Sequence, residues 1–264
     1  MPNKIKVSAV GPSNRPSVSA IVPTYNEVGL LPATIARLRR VVDEIVIVDN
    51  GSTDGSLELA RRLGVKVVFE PRKVAGIGYG FAHMRGMREA TGDYIVAVDA
   101  DGEHPIEDIP QIVEFARRNG IDFVSCARVA APSLHPRFLI RRVGIILLSL
   151  NVRLLFGRSI SDILSGMWLV KRQAVPLLSL EEGGWNLSPE IKLKALTAGQ
   201  VRFSEYPIRT TVRGDDNSKQ VLWKTGLQHL GFINHFWVRD LAKHGFSRFV
   251  PKPLPYGGFE LVRS

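Results

Sequence analysis

Four short apolar runs, each closing on a polar loop and each followed by a helix-like stretch, constrain this chain more than any other feature. SAIVP leads into LLPATIARLRR, EIVIVD into SLELARRLG, VKVVFE into FAHMRGMREA and YIVAVD into IEDIPQIVEFARR, with IDFVSCA as a fifth run. The runs are rich in Val and Ile and lack polar alternation. Both faces are therefore predicted to be buried, as in a parallel sheet covered by helices. The expected fold class is α/β, Rossmann-like and doubly wound. Ligands of such sheets gather beyond the carboxyl ends of the strands. Those ends carry PTYNE (23 to 27), DNGSTDGS (49 to 56), EPRK (70 to 73) and DADGEHP (99 to 105), four polar loops along one edge.

DADGEHP is the most telling of the four. Asp99 and Asp101 stand one residue apart after YIVAV, and on an extended strand side chains i and i+2 share a face. Such a strand end aims two hard oxygen donors at one point. Magnesium takes one or two protein carboxylates and completes its shell with water and phosphate oxygens, so the pair suits Mg²⁺ or Mn²⁺ bound to a diphosphate. At the first strand end Pro23 is predicted to stop the strand. Tyr25 offers a ring face to a nucleobase, and Glu27 is placed to accept from a ribose hydroxyl or base nitrogen. Asp49 is placed likewise to read a base N–H.

The chain has 264 residues, enough for one large α/β domain or two small ones. Thirty-five Lys and Arg against 25 Asp and Glu give a formal charge of +10, a field that favours anionic partners. A non-catalytic basic module for nucleic acid or anionic membrane would account for that charge. It would not account for the carboxylate-rich strand ends, which repel phosphate unless a metal intervenes. The reading adopted is no nucleic acid partner. Cys126 is the single cysteine, which excludes an internal disulfide and fits a reducing cytoplasmic setting. No apolar segment follows a basic start, so neither a secretory signal nor an N-terminal anchor is expected.

With PTYNE, DNGSTDGS and DAD in order, the chain resembles the inverting glycosyltransferases of family 2, which have the GT-A fold. Asn50 stands where that pattern usually has a second aspartate. Within the family it is similar to the dolichol-phosphate mannose synthases and related polyprenyl-phosphate glycosyltransferases, from about Ser19 to Lys219. Supporting stretches are GIGYGFAHMRGMREATGDY, SDILSGMWLVKR (161 to 172), WNLSPEIKLKALTAG (185 to 199) and PIRTTVRGDDNSK (207 to 219). They follow the family order of D-x-x-S-G, a later glutamate and R-x-x-x-x-S-K. GIGYG by itself reads as a turn and a close-packed helix start.

The resemblance implies a mixed, mainly parallel sheet and roles for individual residues. Asp99, Asp101 and Glu103 would hold the divalent metal, Glu103 standing where these enzymes often have glutamine. Ser165 of the S-G step would line the donor site, and Arg213 and Lys219 would neutralise the donor diphosphate. Arg128 with Arg141 or Arg142 would grip the acceptor phosphate, since guanidinium binds phosphate oxygens in pairs. The implied partners are a nucleotide sugar, GDP-mannose or a UDP-hexose, and a polyprenyl or dolichyl phosphate. For a hydroxyl acceptor Glu190 is the candidate base; as a plain helix N-terminal carboxylate it would instead favour the helix dipole. GDDNSKQ reads as a lid over the donor.

Two segments stand apart. Residues 137 to 158 hold VGIILLSL, too short to cross a bilayer, bracketed by arginines. Either a buried helix or a helix in the membrane interface, with Arg141, Arg142 and Arg153 at head-group level, fits that pattern. In 219 to 244, Trp223, Leu227, Leu230, Trp237 and Leu241 fall on one helical stripe, with Lys224, Gln228, His235, Arg239 and Lys243 opposite. That pattern suits a membrane surface or packing on the catalytic domain. The expected organisation is a flexible leader (1 to 17), a catalytic domain (18 to 220) with 137 to 158 inserted, and a C-terminal amphipathic helix and tail (221 to 264). The expected location is cytoplasmic and peripheral on the inner face of a membrane.

Overall fold

The computed structural model describes residues 15 to 129, 136 to 210 and 222 to 245. Its strands are β1 (Val18–Thr24), β2 (Glu44–Asp49), β3 (Lys66–Phe69), β4 (Tyr94–Ala97), β5 (Phe123–Arg128), β6 (Trp168–Lys171) and β7 (Phe203–Ile208). Between and after them run α1 (Leu31–Leu38), α2 (Ser56–Arg62), α3 (Tyr79–Glu89), α4 (Ile109–Asn119), α5 (Pro136–Phe156), α6 (Val175–Leu178), α7 (Leu187–Thr197) and α8 (Leu222–His244).

The strands form one seven-stranded sheet in the order β3-β2-β1-β4-β6-β5-β7. All pairings are parallel except those of β6, which lies antiparallel between β4 and β5. The mixed, mainly parallel sheet expected from the sequence is present. Its apolar runs feed two cores because successive side chains point to opposite faces. Ala20, Val22, Ile45, Ile47, Val96 and Val98 enter one core with Leu31 and Ile35 of α1 and Ile109 and Ile112 of α4. Ile21, Val46, Val48, Ile95 and Ala97 enter the other with Ala82 and Met87 of α3 and Ile191 and Ala195 of α7.

Pro23 does not stop its strand. β1 continues through Thr24 in register with β2, while its pairing with β4 ends at Ile21 opposite Ala97. Beyond Ile21 one side of β1 needs no ladder donor, so a proline is tolerated. The GIGYG reading holds: Val74 and Ile77 form a small bridge, and α3 follows with Gly80 against the backbone at Glu182, where a Cβ has no room.

The chain divides into two compact units, residues 1 to 131 with 165 to 216, and residues 132 to 164 with 217 to 264. The first is the α/β sheet unit. In the second, the inserted segment and the C-terminal helix, expected as separate features, pack together as a helical pair. Phe156 of α5 meets Phe236 of α8 with ring centroids 6.1 Å apart. No helix among the described residues is long and apolar enough to cross a membrane.

Candidate active site at the strand ends

β4 ends at Ala97, so Asp99 and Asp101 stand in the loop beyond it. Strand alternation therefore does not aim them; the loop is held by its neighbours. Thr34 of α1 donates to the Ala100 carbonyl at 3.2 Å. Three residues on, Arg37 donates to the carbonyls of Gly102 (3.3 Å) and His104 (3.2 Å), and its remaining N–H groups fork onto Glu107 at 2.8 and 2.6 Å. That fork pulls the Glu107 carboxyl down to about 2 and raises Arg37. Within the loop the Asp99 N–H donates to His104 Nδ1 at 3.0 Å, and the Glu103 N–H donates to Asp101 Oδ1 at 3.0 Å. His104 Nε2 then lies 3.5 Å from Asp99 Oδ2. With Nδ1 accepting, Nε2 is the ring nitrogen that carries the proton.

The Asp99 carboxyl is raised from its ordinary value by desolvation, with the Asp101 charge adding to that rise while His104 and Arg128 oppose it. A carboxyl whose proton affinity is raised by burial and by a neighbouring carboxylate marks a site short of positive charge. Among the described residues no three His, Cys, Asp or Glu side chains gather into a metal cage. Glu103, the expected third ligand, follows in the same loop with its N–H on Asp101. A two-carboxylate site with open positions still fits Mg²⁺ or Mn²⁺ shared with a diphosphate.

The opposite wall comes from far along the chain. Gly166, delivered by the turn into β6, faces Asp99: a Cβ there would stand 2.7 Å from Asp99 Oδ2 and 3.1 Å from the Tyr79 hydroxyl. Glycine is the residue that fits this approach. Tyr79, at the start of α3, is half-buried, and its hydroxyl pKa is raised well above the ordinary value by desolvation and then by Asp99. Lys192, fully buried on α7, donates to the Ser165 carbonyl at 2.6 Å and to Ser188 at 3.3 Å. A buried ammonium is thereby fastened to the segment that faces the aspartates. Ser165 itself is fully buried. Behind Tyr79, burial drops His83 to about 4, so this ring is neutral at physiological pH.

At the other end of the rim Tyr25 is 41% exposed and carries the Lys73 ammonium 4.4 Å over its ring, a cation–π contact. Asp49 is buried and turned onto its own loop, where its Oδ2 accepts from the Gly51 N–H at 3.0 Å and the Ser52 N–H at 3.2 Å. Asn50 donates to the carbonyls of Glu70 (2.5 Å) and Arg72 (3.3 Å), joining the ends of β2 and β3. An aspartate has no N–H to give, which is a physical reason for asparagine here. Glu27 and Arg128 are near enough for their charges to act on Asp99.

Glu190 is 2% exposed, and both its oxygens are engaged. Oε1 accepts from the Glu181 N–H and Oε2 from the Glu182 N–H, each at 2.9 Å, and Lys194 lies 2.8 Å away. Asp101, Arg128 and Glu27 thus stand within electrostatic reach of Asp99, Ser165 precedes the glycine that faces it, and Glu190 is set against the loop before α7. Arg142 is exposed on α5. Arg213, Lys219 and the expected GDDNSKQ lid lie outside the described residues, as does the Arg141 side chain. Sequence reasoning missed Arg37, Gly166 as a packing residue, Lys73, Tyr79 and Lys192. For Arg37 a signal existed, since a basic residue on the core-facing helix before a D-x-D strand has a loop within reach.

Residues 19 to 176 match the model of Glycosyl transferase family 2. The chain belongs to that family. This family 2 glycosyltransferase is 32% identical over 230 residues to the dolichol-phosphate mannosyltransferase of Pyrococcus furiosus, covering 82% of this chain and 62% of that protein. It is 28% identical to the low-salt glycan biosynthesis hexosyltransferase Agl6 of Haloferax volcanii, covering 83% of this chain and 53% of that protein. It therefore spans between half and two thirds of the length of these two relatives. With the undecaprenyl-phosphate mannosyltransferase of Micrococcus luteus it shares 30% identity over 76% of this chain and 86% of that one. Among solved structures, glucosyl-3-phosphoglycerate synthase from Mycobacterium tuberculosis, in complex with Mn²⁺, UDP and phosphoglyceric acid, superposes with a TM-score of 0.60 at 20% identity. That match covers 90% of this chain and 80% of the other. It bears out the GT-A fold expected from the sequence.

Proposed function

We propose that this family 2 glycosyltransferase transfers a hexose from a nucleoside diphosphate sugar to a polyprenyl phosphate, with inversion at the anomeric carbon. The observation that carries the reading is the Asp99–Asp101 loop, braced from α1 and closed by Gly166, in a family whose relatives are named for polyprenyl-phosphate sugar transfer. Mannose from GDP-mannose is the donor favoured by those names; a UDP-hexose is the alternative.

An acceptor phosphate oxygen attacks the anomeric carbon as the bond from that carbon to the diphosphate breaks, and nucleoside diphosphate leaves with the bonding electrons. A monoalkyl phosphate is already largely dianionic near neutrality, so no protein base is needed. Asp99 and Asp101 are the groups that would hold Mg²⁺ or Mn²⁺, whose charge would stabilise the departing diphosphate. Arg213 and Lys219 are assigned to the same diphosphate, and Arg128, with Arg141 or Arg142, to the acceptor phosphate. Tyr25 and Lys73 would frame the base, with Pro23, Glu27, Asp49 and Ser165 shaping the pocket.

The second reading, a hydroxyl acceptor with Glu190 as base, requires a free carboxylate oxygen. Both oxygens of Glu190 hold backbone N–H groups, which favours a bracing role. The working location proposed is the cytoplasmic face of the membrane that carries the acceptor. The test supplies a panel of radiolabelled nucleotide sugars, Mg²⁺ or Mn²⁺ and a short polyprenyl phosphate, and then extracts with organic solvent. Label in the organic phase that depends on both metal and lipid phosphate supports the proposal. Label confined to a water-soluble saccharide overturns it.

A further inference from the structure

Lys192 is fully buried on α7 and takes no part in the proposed transfer. Taking an ammonium out of water is costly, and an apolar side chain of similar length would fill the same slot without that cost. What such a side chain cannot do is hold two carbonyl oxygens. The Lys192 ammonium donates to the Ser165 carbonyl at 2.6 Å, on the turn into β6, and to the Ser188 carbonyl at 3.3 Å, on α7 itself. Both residues lead to Asp99. Ser165 precedes Gly166, which approaches so closely that an added Cβ would stand 2.7 Å from Asp99 Oδ2. The Ser188 side chain hydrogen-bonds the Tyr79 hydroxyl, and that hydroxyl would lie 3.1 Å from the same Cβ. Tyr79 is held from behind as well. Its carbonyl accepts from His83 Nδ1 at 2.9 Å, and its ring meets Trp185 with centroids 4.9 Å apart.

We infer that Lys192 is a positioning residue: by tying Ser165 and Ser188 to one ammonium it holds Gly166 and the Tyr79 hydroxyl at a set distance from Asp99, and so keeps that carboxylate turned toward the ion it shares with Asp101. This rests on the assignment of Asp99 and Asp101 to Mg²⁺ or Mn²⁺. His104 Nε2 is 3.5 Å from Asp99 Oδ2, beyond ordinary hydrogen-bond length, so the rotation of the carboxylate is set by what it packs against. On one side that is Gly166. The wall is built from α3, the turn into β6 and α7, three segments distant in sequence, and Lys192 stands where they meet. Its charge reaches His83 on α3 and Cys126 on β5. Partners that orient a metal's ligands from outside the coordination shell govern affinity nearly as strongly as the ligands do.

Ion binding and wall motion, rather than turnover, are the quantities to measure. Mn²⁺ is titrated into the full chain with GDP or UDP present, free Mn²⁺ being followed by electron paramagnetic resonance, and hydrogen exchange of residues 165 to 168 is recorded without any ion. Lys192→Met should weaken Mn²⁺ binding by about tenfold or more and speed exchange across 165 to 168 in the ion-free chain, with circular dichroism as in the parent. Ser188→Ala cuts the link to Tyr79 and leaves the ammonium in place; it should weaken Mn²⁺ binding by about threefold. Leu178→Ala, a core cavity on α6, should lower the melting temperature and leave Mn²⁺ binding within about twofold of the parent. Parental Mn²⁺ affinity in Lys192→Met overturns the inference. If Lys192→Met does not fold, parental affinity in Ser188→Ala overturns it instead. A Leu178→Ala variant that loses affinity to the same extent also overturns it, since the effect would then be one of general stability. Asp101→Asn separates the inference from the assignment beneath it. Parental Mn²⁺ binding in Asp101→Asn removes the metal reading and this inference with it, whereas loss of the ion in Asp101→Asn but not in Lys192→Met removes the inference alone.

Discussion

Around the loop after β4, the α/β unit fixes its backbone with side chains from other elements, whereas the α5–α8 pair leaves a row of apolar side chains bare. Thr34 and Arg37 alone satisfy three loop carbonyls there. On α5 seven large apolar residues are exposed on one arc. The difference shows where each region meets its environment. Pre-set polar geometry is what a site for developing charge requires. Bare leucines at a helix surface contribute little to stability in water.

The comparison breaks if the loop tolerates what the α5–α8 pair tolerates. Asp101→Asn should lower turnover by about 10³-fold or more, on the order of 4 kcal/mol in the barrier, read in the extraction assay with donor and acceptor saturating. A drop below tenfold would remove the metal assignment. In the sheet, Ile95→Ala should cost about 3 kcal/mol of stability by urea unfolding, because Ile95 is fully buried. Glu190→Gln should cost about 2 kcal/mol, since one backbone N–H and Lys194 lose their partner, while turnover falls by no more than about tenfold. Loss of all chemistry with donor binding intact would restore Glu190 as a base.

Arg37→Gln sharpens the comparison through pH. The folded Glu107 carboxyl is depressed to about 2 from an ordinary 4.5. Its contribution is therefore present above about pH 4.5 and lost as pH falls through about 2. Glu107 is largely exposed, so the contribution is no more than about 1 kcal/mol, and Arg37→Gln should flatten that limb of the unfolding profile. Smallest of all, Leu154→Ser should change stability by less than about 0.5 kcal/mol. A larger loss would mean that the stripe is packed in the folded chain.

Much of the α/β unit was legible because its strands are continuous Val and Ile runs that leave little choice of burial. β6 and β7 were not legible as strands. WLVK is a four-residue run inside a stretch read for its D-x-x-S-G pattern, and FSEYPI is half-buried on the sheet edge, with no clean period. The strand-end aspartates were found by their spacing, but their aim was misassigned. β4 ends two residues earlier than strand alternation requires, and tertiary hydrogen bonds take over. Asp49 and Asn50 were visible as polar positions, yet only the structure shows Asp49 turned onto its own loop and Asn50 joining the ends of β2 and β3. Periodicity located a stripe on α8, whereas α5 was legible only as an apolar run between arginines; which of its sides is covered was not, because α5 is apolar on both.

The antiparallel insertion of β6 also fixes an order of assembly. β4 gains its second neighbour only when Trp168–Lys171 arrives, more than 70 residues after Ala97. Until the ribosome has released that segment, a nascent chain displays β4 as an open edge and its aspartates lack the glycine wall. Vectorial synthesis thus leaves a half-built sheet exposed for the whole span from residue 98 to 167, an interval in which a chaperone would recognise that unpaired strand.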